Sequence, residues 1–120
     1  MAWTVEDHLR GKAAHVRDLY QAFERLIADC GPYEVTVAKT AISFKGEVRG
    51  FAGATPRANS LSGFLDLMEQ HDEPPFTRVV PYTAKLWVHR FVVESIDQLD
   101  DRFAARVQDA YRVGAGAHRT

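Results

Sequence analysis

A small group of cationic and aromatic residues offers the clearest opportunity for chemistry in this sequence. Lys85, Trp87 and His89 recur at every second position, so on a strand they would share one face. An indole between a lysine and a histidine can stack on a planar ligand and neutralise an anion. If neighbouring strands bring further arginines to the same place, the predicted ligand-binding set is Arg57, Arg78, Lys85, Trp87, His89 and Arg90.

A purely structural role explains the same residues. Tryptophans on strands are most often packing residues, so Trp87 would then lie in the core. The lysine and arginines would form a solvated rim whose alkyl stems cover apolar surface. The sequence leaves both interpretations open.

Other chemistries find little support. Metal chelation is conceivable at residues 71–73 (HDE), but adjacent residues on one loop rarely supply the geometry that an ion requires. Cys30 continues the apolar stripe of a predicted helix, which favours a buried thiol over a nucleophile. No serine nucleophile elbow occurs at residues 59–63 (NSLSG). We therefore predict no catalytic residue, no metal site and no cofactor.

Length and charge narrow the class of protein. The chain has 120 residues, with 15 lysines and arginines against 16 acidic residues, for a net charge of -1. This balance argues against a nucleic-acid or membrane-surface binder, both of which need clustered positive charge. The single cysteine, the lack of a signal peptide and the lack of a membrane-spanning segment predict a cytoplasmic location.

Three segments show helical features. Thr4 can cap a short first helix, with acidic residues in its first turn. The second helix is predicted from the apolar stripe between Val16 and Ile27, and it should end at Gly31-Pro32. A capping box at Ser95–Gln98 is expected to begin the last helix.

Between these helices the hydrophobic period changes to two, which is typical of strands. Residues 60–68 fit either a helix or a strand, and we favour a strand because Gly63 would cost a helix about 1 kcal/mol. Pro81 should stop the strand at residues 78–80 or place it at an edge. Residues 85–94 are apolar on both faces, which predicts a central strand covered on each side.

Together these elements predict an α+β fold, with an antiparallel β-meander of four to six strands packed against an N-terminal and a C-terminal helix. Residues 1–113 would form a single domain and residues 114–120 a flexible tail. Two helices can cover only one face, so the other apolar face of strand 85–94 is unexplained. The predicted core consists of Leu19, Phe23, Ile27, Val88, Val92, Leu99 and Phe103.

Several short motifs resemble a bacterial family known as domain of unknown function 5655. They lie at residues 3–8 (WTVEDH), 42–44 (ISF), 51–52 (FA), 87–90 (WVHR), 97–100 (DQLD) and 110–111 (AY). The likeness runs from Trp3 to Tyr111. It implies the same order of helix, meander and helix, with a strand at residues 61–67, and it lends no activity.

Two classes of function follow. The first is a small non-catalytic module that binds a partner, a second copy of itself as a homodimer, or a small anionic or planar ligand through the second sheet face around Trp87 and His89. The alternative is a small enzyme acting on an anionic substrate, with His89 as acid or base and Lys85 and Arg90 as anion binders. We favour the first because no catalytic constellation is recognisable, and whether the protein is an enzyme stays open.

Overall fold

The computed structural model describes residues 2–119, so Met1 of the predicted domain and Thr120 of the predicted tail lie outside the described residues. The helices are α1 (Val5–Leu9), α2 (Ala14–Ala28) and α3 (Asp101–Gly114). The strands are β1 (Glu34–Val37), β2 (Ile42–Lys45), β3 (Gly50–Pro56), β4 (Leu61–Leu67), β5 (Phe76–Thr83) and β6 (Leu86–Val93). None of the helices within residues 2–119 has the length and apolar character that crossing a bilayer requires.

The six strands form one antiparallel sheet in the order β1-β2-β3-β4-β6-β5. The chain meanders as far as β4, and β5 then lies outside β6. β6 takes the interior position because it is apolar on both sides. β5 lies at the edge, where Pro81 can continue the strand although its nitrogen donates no hydrogen bond. The α+β class, the antiparallel sheet and the strand at β4 are confirmed, and β5 is longer than residues 78–80.

The helices pack on one face of the sheet, which we call the covered face. Phe23 of α2 lies near the middle of its core, with ring centroids 5.8 Å from Phe44, 5.3 Å from Phe91 and 6.2 Å from Phe103. Burial of such aromatic side chains supplies most of the driving force for packing helices on a sheet. The core therefore joins α2, α3 and the middle strands.

The helix ends follow their capping residues. Thr4 and Asp7 form a capping box at α1. Ser95 and Gln98 also form a capping box, but the 3-10 turn at Ile96–Gln98 ends at once, and α3 begins only at Asp101. The reason is a second cap, because the Asp100 side chain accepts a hydrogen bond of 2.9 Å from the Phe103 amide.

The register of β6 on β4 corrects part of the predicted core. His89 lies opposite Leu65, and this pair belongs to the buried, covered face. Val88 and Val92 point to the other face, where Val92 is 39% exposed. A strand that is apolar on both sides does not reveal which side the helices will cover, so this part of the prediction was wrong. Burial is confirmed for Leu19, Phe23, Ile27 and Phe103, and Leu99 is partly buried against the same core.

The C-terminal residues pack against the β2–β3 hairpin. The Gly114 carbonyl accepts hydrogen bonds from the amides of Val48 and Arg49, at 2.8 and 3.2 Å. A further 3-10 turn follows at Ala117–Arg119. That residues 114–120 are flexible stays a prediction.

Candidate functional site

The sheet face that carries none of the described helices, which we call the open face, has a continuous row of residues across its middle. The strand registers place these positions side by side from β2 to β5 in the order Ser43, Gly53, Phe64, Arg90 and Arg78. The row changes from a small polar residue at one end to two cations at the other.

Phe64 lies at the centre of this row, and its ring occupies the space that the neighbouring Gly53 leaves without a side chain. A Cβ atom on Gly53 would overlap the Phe64 ring. The ring therefore lies over Gly53 of β3 and remains partly exposed on the open face. Glycine in a strand often marks such a close approach.

Two clefts border Phe64 and Arg90, and both residues line both clefts. The cleft towards Arg57 and Ser62, which we call the arginine cleft, has a volume of about 430 Å³. The cleft towards Asp66 and its neighbours, which we call the aspartate cleft, has a volume of about 580 Å³. Both volumes fall within the range of small-molecule sites, roughly 300–1,000 Å³.

Arg57, Arg78 and Arg90 are three cations at the open face. Arg78 lies directly opposite Arg90 in the β5–β6 register, and both are exposed. The Nε of Arg57 donates a hydrogen bond of 3.3 Å to the Ser62 hydroxyl. Within residues 2–119 none of these three arginines forms an ion pair with a carboxylate. Like charges directly opposite each other on a sheet are destabilising, so an anion here would relieve repulsion.

The aspartate cleft contains a buried carboxylate. Asp66 is 5% exposed, and its Oδ2 accepts a hydrogen bond of 2.7 Å from Nη2 of Arg49. The Arg49 guanidinium also lies 5.6 Å from the centre of the Tyr82 ring. Burial raises the pKa of Asp66 to about 6, although Arg49 acts in the opposite direction. Asp66 Oδ1 is buried and has no hydrogen-bond partner among the described residues.

His89 and Trp87 lie on the covered side of β6, away from these clefts. The buried His89 ring accepts a hydrogen bond of 2.9 Å from the His71 amide at Nε2, so its Nδ1 carries the proton and donates to the Trp87 carbonyl at 3.0 Å. Burial lowers the pKa of His89, which favours this neutral form. The bond at Nε2 thus holds the loop after β4 to β6, and the bond at Nδ1 lies within β6.

The structure therefore divides the predicted ligand-binding set. The cations beside the open face are Arg57, Arg78 and Arg90. Trp87 and His89 share a side, as their spacing predicts, but it is the covered side. Lys85 lies in the turn between β5 and β6 rather than on the strand, because the hairpin closes at residues 84–85.

Sequence reasoning missed four residues of the two clefts. Arg49 and Tyr82 lie in segments whose turns and bulges hide their direction. The position of the Phe64 ring depends on Gly53, which is distant in the sequence. Asp66 did carry a signal, since it stands between Leu65 and Leu67 in a strand that is otherwise apolar around it. An acid within an apolar strand needs a partner, and searching for one would have pointed to the open face.

Two other predicted chemistries concern residues away from the open face. Within the described part of the chain no group of three or more histidines, cysteines or carboxylates is arranged to hold a metal ion. Cys30 is half-buried, and its thiol donates to the Leu26 carbonyl at 3.4 Å. Burial raises the pKa of the Cys30 thiol, which favours the unreactive protonated form.

Comparison with known proteins yields a single family. The family model described as "Domain of unknown function (DUF5655)" matches residues 5–114, which is most of the chain. The match agrees with the extent of the motifs noted in the sequence. No curated protein and no solved structure matches the chain significantly.

Proposed function

The chain belongs to the DUF5655 family, and we propose that it is a small non-catalytic module that binds an anionic ligand on the open face of its sheet. The anion would lie against Arg90, with Arg78 and Arg57 on either side of it. Phe64 would supply an apolar surface for the rest of the ligand. Mixed cationic and aromatic surfaces of this kind suit ligands that combine a charge with a flat apolar part.

The observation that carries the proposal is the pairing of Arg78 with Arg90. Arg78 and Arg90 are exposed Cα partners in the β5–β6 register, and no described carboxylate forms an ion pair with either of them. A protein gains nothing in stability from such a pair. A phosphate or carboxylate group placed between them would form charge-assisted, bidentate hydrogen bonds with both.

A homodimer through the open face competes with this proposal. Across a two-fold axis each arginine patch would meet the same patch of the second copy, which opposes like charges. An acid–base role for His89 competes in a different way, because both ring nitrogens are already hydrogen-bonded and the reacting one would have to lose its partner. These considerations favour binding of a small anion over self-association and over catalysis at His89.

The proposal is tested by titrating the protein with inorganic pyrophosphate while recording amide resonances by NMR. We expect saturable shifts in β4 and β6 around Phe64 and Arg90. Arg90→Ala should weaken binding at least about tenfold, since hydrogen bonds to charged groups contribute roughly 1.5–3 kcal/mol. Arg102→Ala removes an exposed arginine from α3, on the covered side, and should leave the affinity unchanged.

Three results would contradict the proposal. The first is the absence of saturable shifts, and the second is an equal loss of affinity in Arg90→Ala and Arg102→Ala. The third is a dimer in light scattering whose interface contains Arg90 and which pyrophosphate does not dissociate. That last result would identify a second copy as the occupant of the open face.

We also propose a bacterial cytoplasm as the setting. The half-buried, protonated thiol of Cys30 suits a reducing compartment. Small phosphorylated metabolites are abundant anions there. Fractionation of cells that express the natural gene would test the location directly.

A further inference from the structure

One carboxylate oxygen of Asp66 has no part in the proposed anion binding. Its Oδ2 is held by Arg49, while Oδ1 is buried and lacks a partner within residues 2–119. More than nine-tenths of the Asp66 residue is buried, and it lines the aspartate cleft. Buried polar atoms without partners are rare and costly, so a hydrogen-bond donor from outside the protein would be favourable at this position.

The surroundings of Asp66 select a flat group. The aspartate cleft is bordered by the aromatic rings of Phe64 and Tyr82, and Val88 adds an apolar patch between the polar residues. Tyr82 is 62% exposed, so one side of its ring is free to contact a ligand. Aromatic surfaces beside a buried acceptor favour a planar heterocycle over an aliphatic chain.

The charges around Asp66 select a neutral donor. Arg49 already pairs with the carboxylate, and Arg90 borders the same cleft. A cationic ligand group would face both guanidinium groups at close range, which is unfavourable in a partly buried site. A neutral amino group can donate to Asp66 without this repulsion.

We propose that the aspartate cleft is a subsite for an amino-bearing purine or related base, whose amino group donates to Asp66 and whose attached phosphate lies at Arg90. The inference rests on the proposed anion site at Arg90, which lines both clefts. The ligand class is thus a nucleoside monophosphate with an exocyclic amino group on its base. The base would lie beside Phe64, as bases do on aromatic side chains.

The experiment compares two nucleotides that differ by this one amino group. Adenosine monophosphate carries it, and purine riboside monophosphate lacks it. Binding of each is measured by calorimetry and by amide shifts, with pyrophosphate as the reference anion. We expect adenosine monophosphate to bind about tenfold or more tightly than purine riboside monophosphate, the factor that one hydrogen bond to a charged group contributes.

Asp66→Leu separates the inference from the proposed function. This variant should bind the two nucleotides equally and should still bind pyrophosphate, because Arg90 is intact. If Asp66→Leu does not fold, Asp66→Asn keeps the shape of the side chain, removes its charge and should reduce the discrimination. Val92→Ala, on the same face but outside the aspartate cleft, should keep the discrimination.

The outcomes are distinguishable. Equal affinity of the natural protein for both nucleotides, with pyrophosphate still bound, overturns the base subsite and leaves the anion site standing. It would mean that the amino group of the base does not donate to Asp66 Oδ1. Discrimination that persists in the Asp66 variants also overturns the subsite. Failure of pyrophosphate and of both nucleotides to bind overturns the anion site and the subsite together.

Discussion

Replacing Asp66 with asparagine should change how the stability of the fold depends on pH. Burial raises the pKa of Asp66 to about 6 in the folded protein, whereas an aspartate in an unfolded chain titrates near about 3.9. At about 1.4 kcal/mol for each pH unit, the difference corresponds to about 3 kcal/mol. The asparagine side chain of the variant cannot titrate, but its amide oxygen can still accept the hydrogen bond from Arg49.

The direction of this pH dependence follows from proton binding. Because the pKa of Asp66 is higher in the folded state, the folded protein binds more protons than the unfolded chain between these two values. The contribution of Asp66 to stability is therefore most favourable below about pH 4, and it declines as the pH rises through about 6. Between about pH 5 and about pH 8, the natural protein should lose about 1–2 kcal/mol relative to Asp66→Asn.

The measurement is urea unfolding of both proteins at several pH values, followed by far-UV circular dichroism. The difference between their unfolding free energies isolates the titration of this one carboxyl group. Arg49→Gln serves as a partner variant, because it removes the cation that lowers the pKa of Asp66 and should move the transition to higher pH. A difference that stays constant within about 0.5 kcal/mol would refute the reasoning, since it would mean that Asp66 is hydrated or fully compensated by Arg49.

Two further predictions test the packing on either side of the sheet. Phe103→Ala should reduce the free energy of unfolding by about 3–5 kcal/mol in urea titrations, whereas Val92→Ala on the open face should cost less than about 1 kcal/mol; equal costs would mean that the two faces are assigned wrongly. Gly53→Ala should displace the Phe64 ring and destabilise the fold by about 1–3 kcal/mol, and the double variant with Phe64→Ala should recover part of this loss, which a clash elsewhere would not allow.

The parts of the fold that the sequence predicted are those governed by local patterns. The apolar stripe of α2, the cap at Thr4 and the strand at β4 each depend on residues close together in the chain, and each appears in the structure. The sheet places β6 between β4 and β5, out of chain order. This placement depends instead on which of the two strands gains more stability from a central position. The hydrophobic periods of helices and strands do not indicate which of the two strands will be central.

The candidate site was harder to predict for the same reason. Arg90 was included in the predicted set together with His89, although these two neighbours lie on opposite faces of β6. Alternation predicts that such neighbours diverge, yet it does not say which of them the helices will cover. The position of Phe64 over Gly53 arises only when β3 pairs with β4, so no local pattern could show it.

The position of β6 between β4 and β5 also affects the order of folding. β5 and β6 are joined by a turn of two residues, so this hairpin can form on a timescale of about microseconds. Its docking on β4 is slower to nucleate, because the paired residues lie from 20 positions apart at Leu67 and Trp87 to 32 at Leu61 and Val93. Until the hairpin docks, the β4 edge is unpaired and can recruit a strand from another chain. Aggregation during refolding should therefore begin at β4 rather than at the outer strands of the finished sheet.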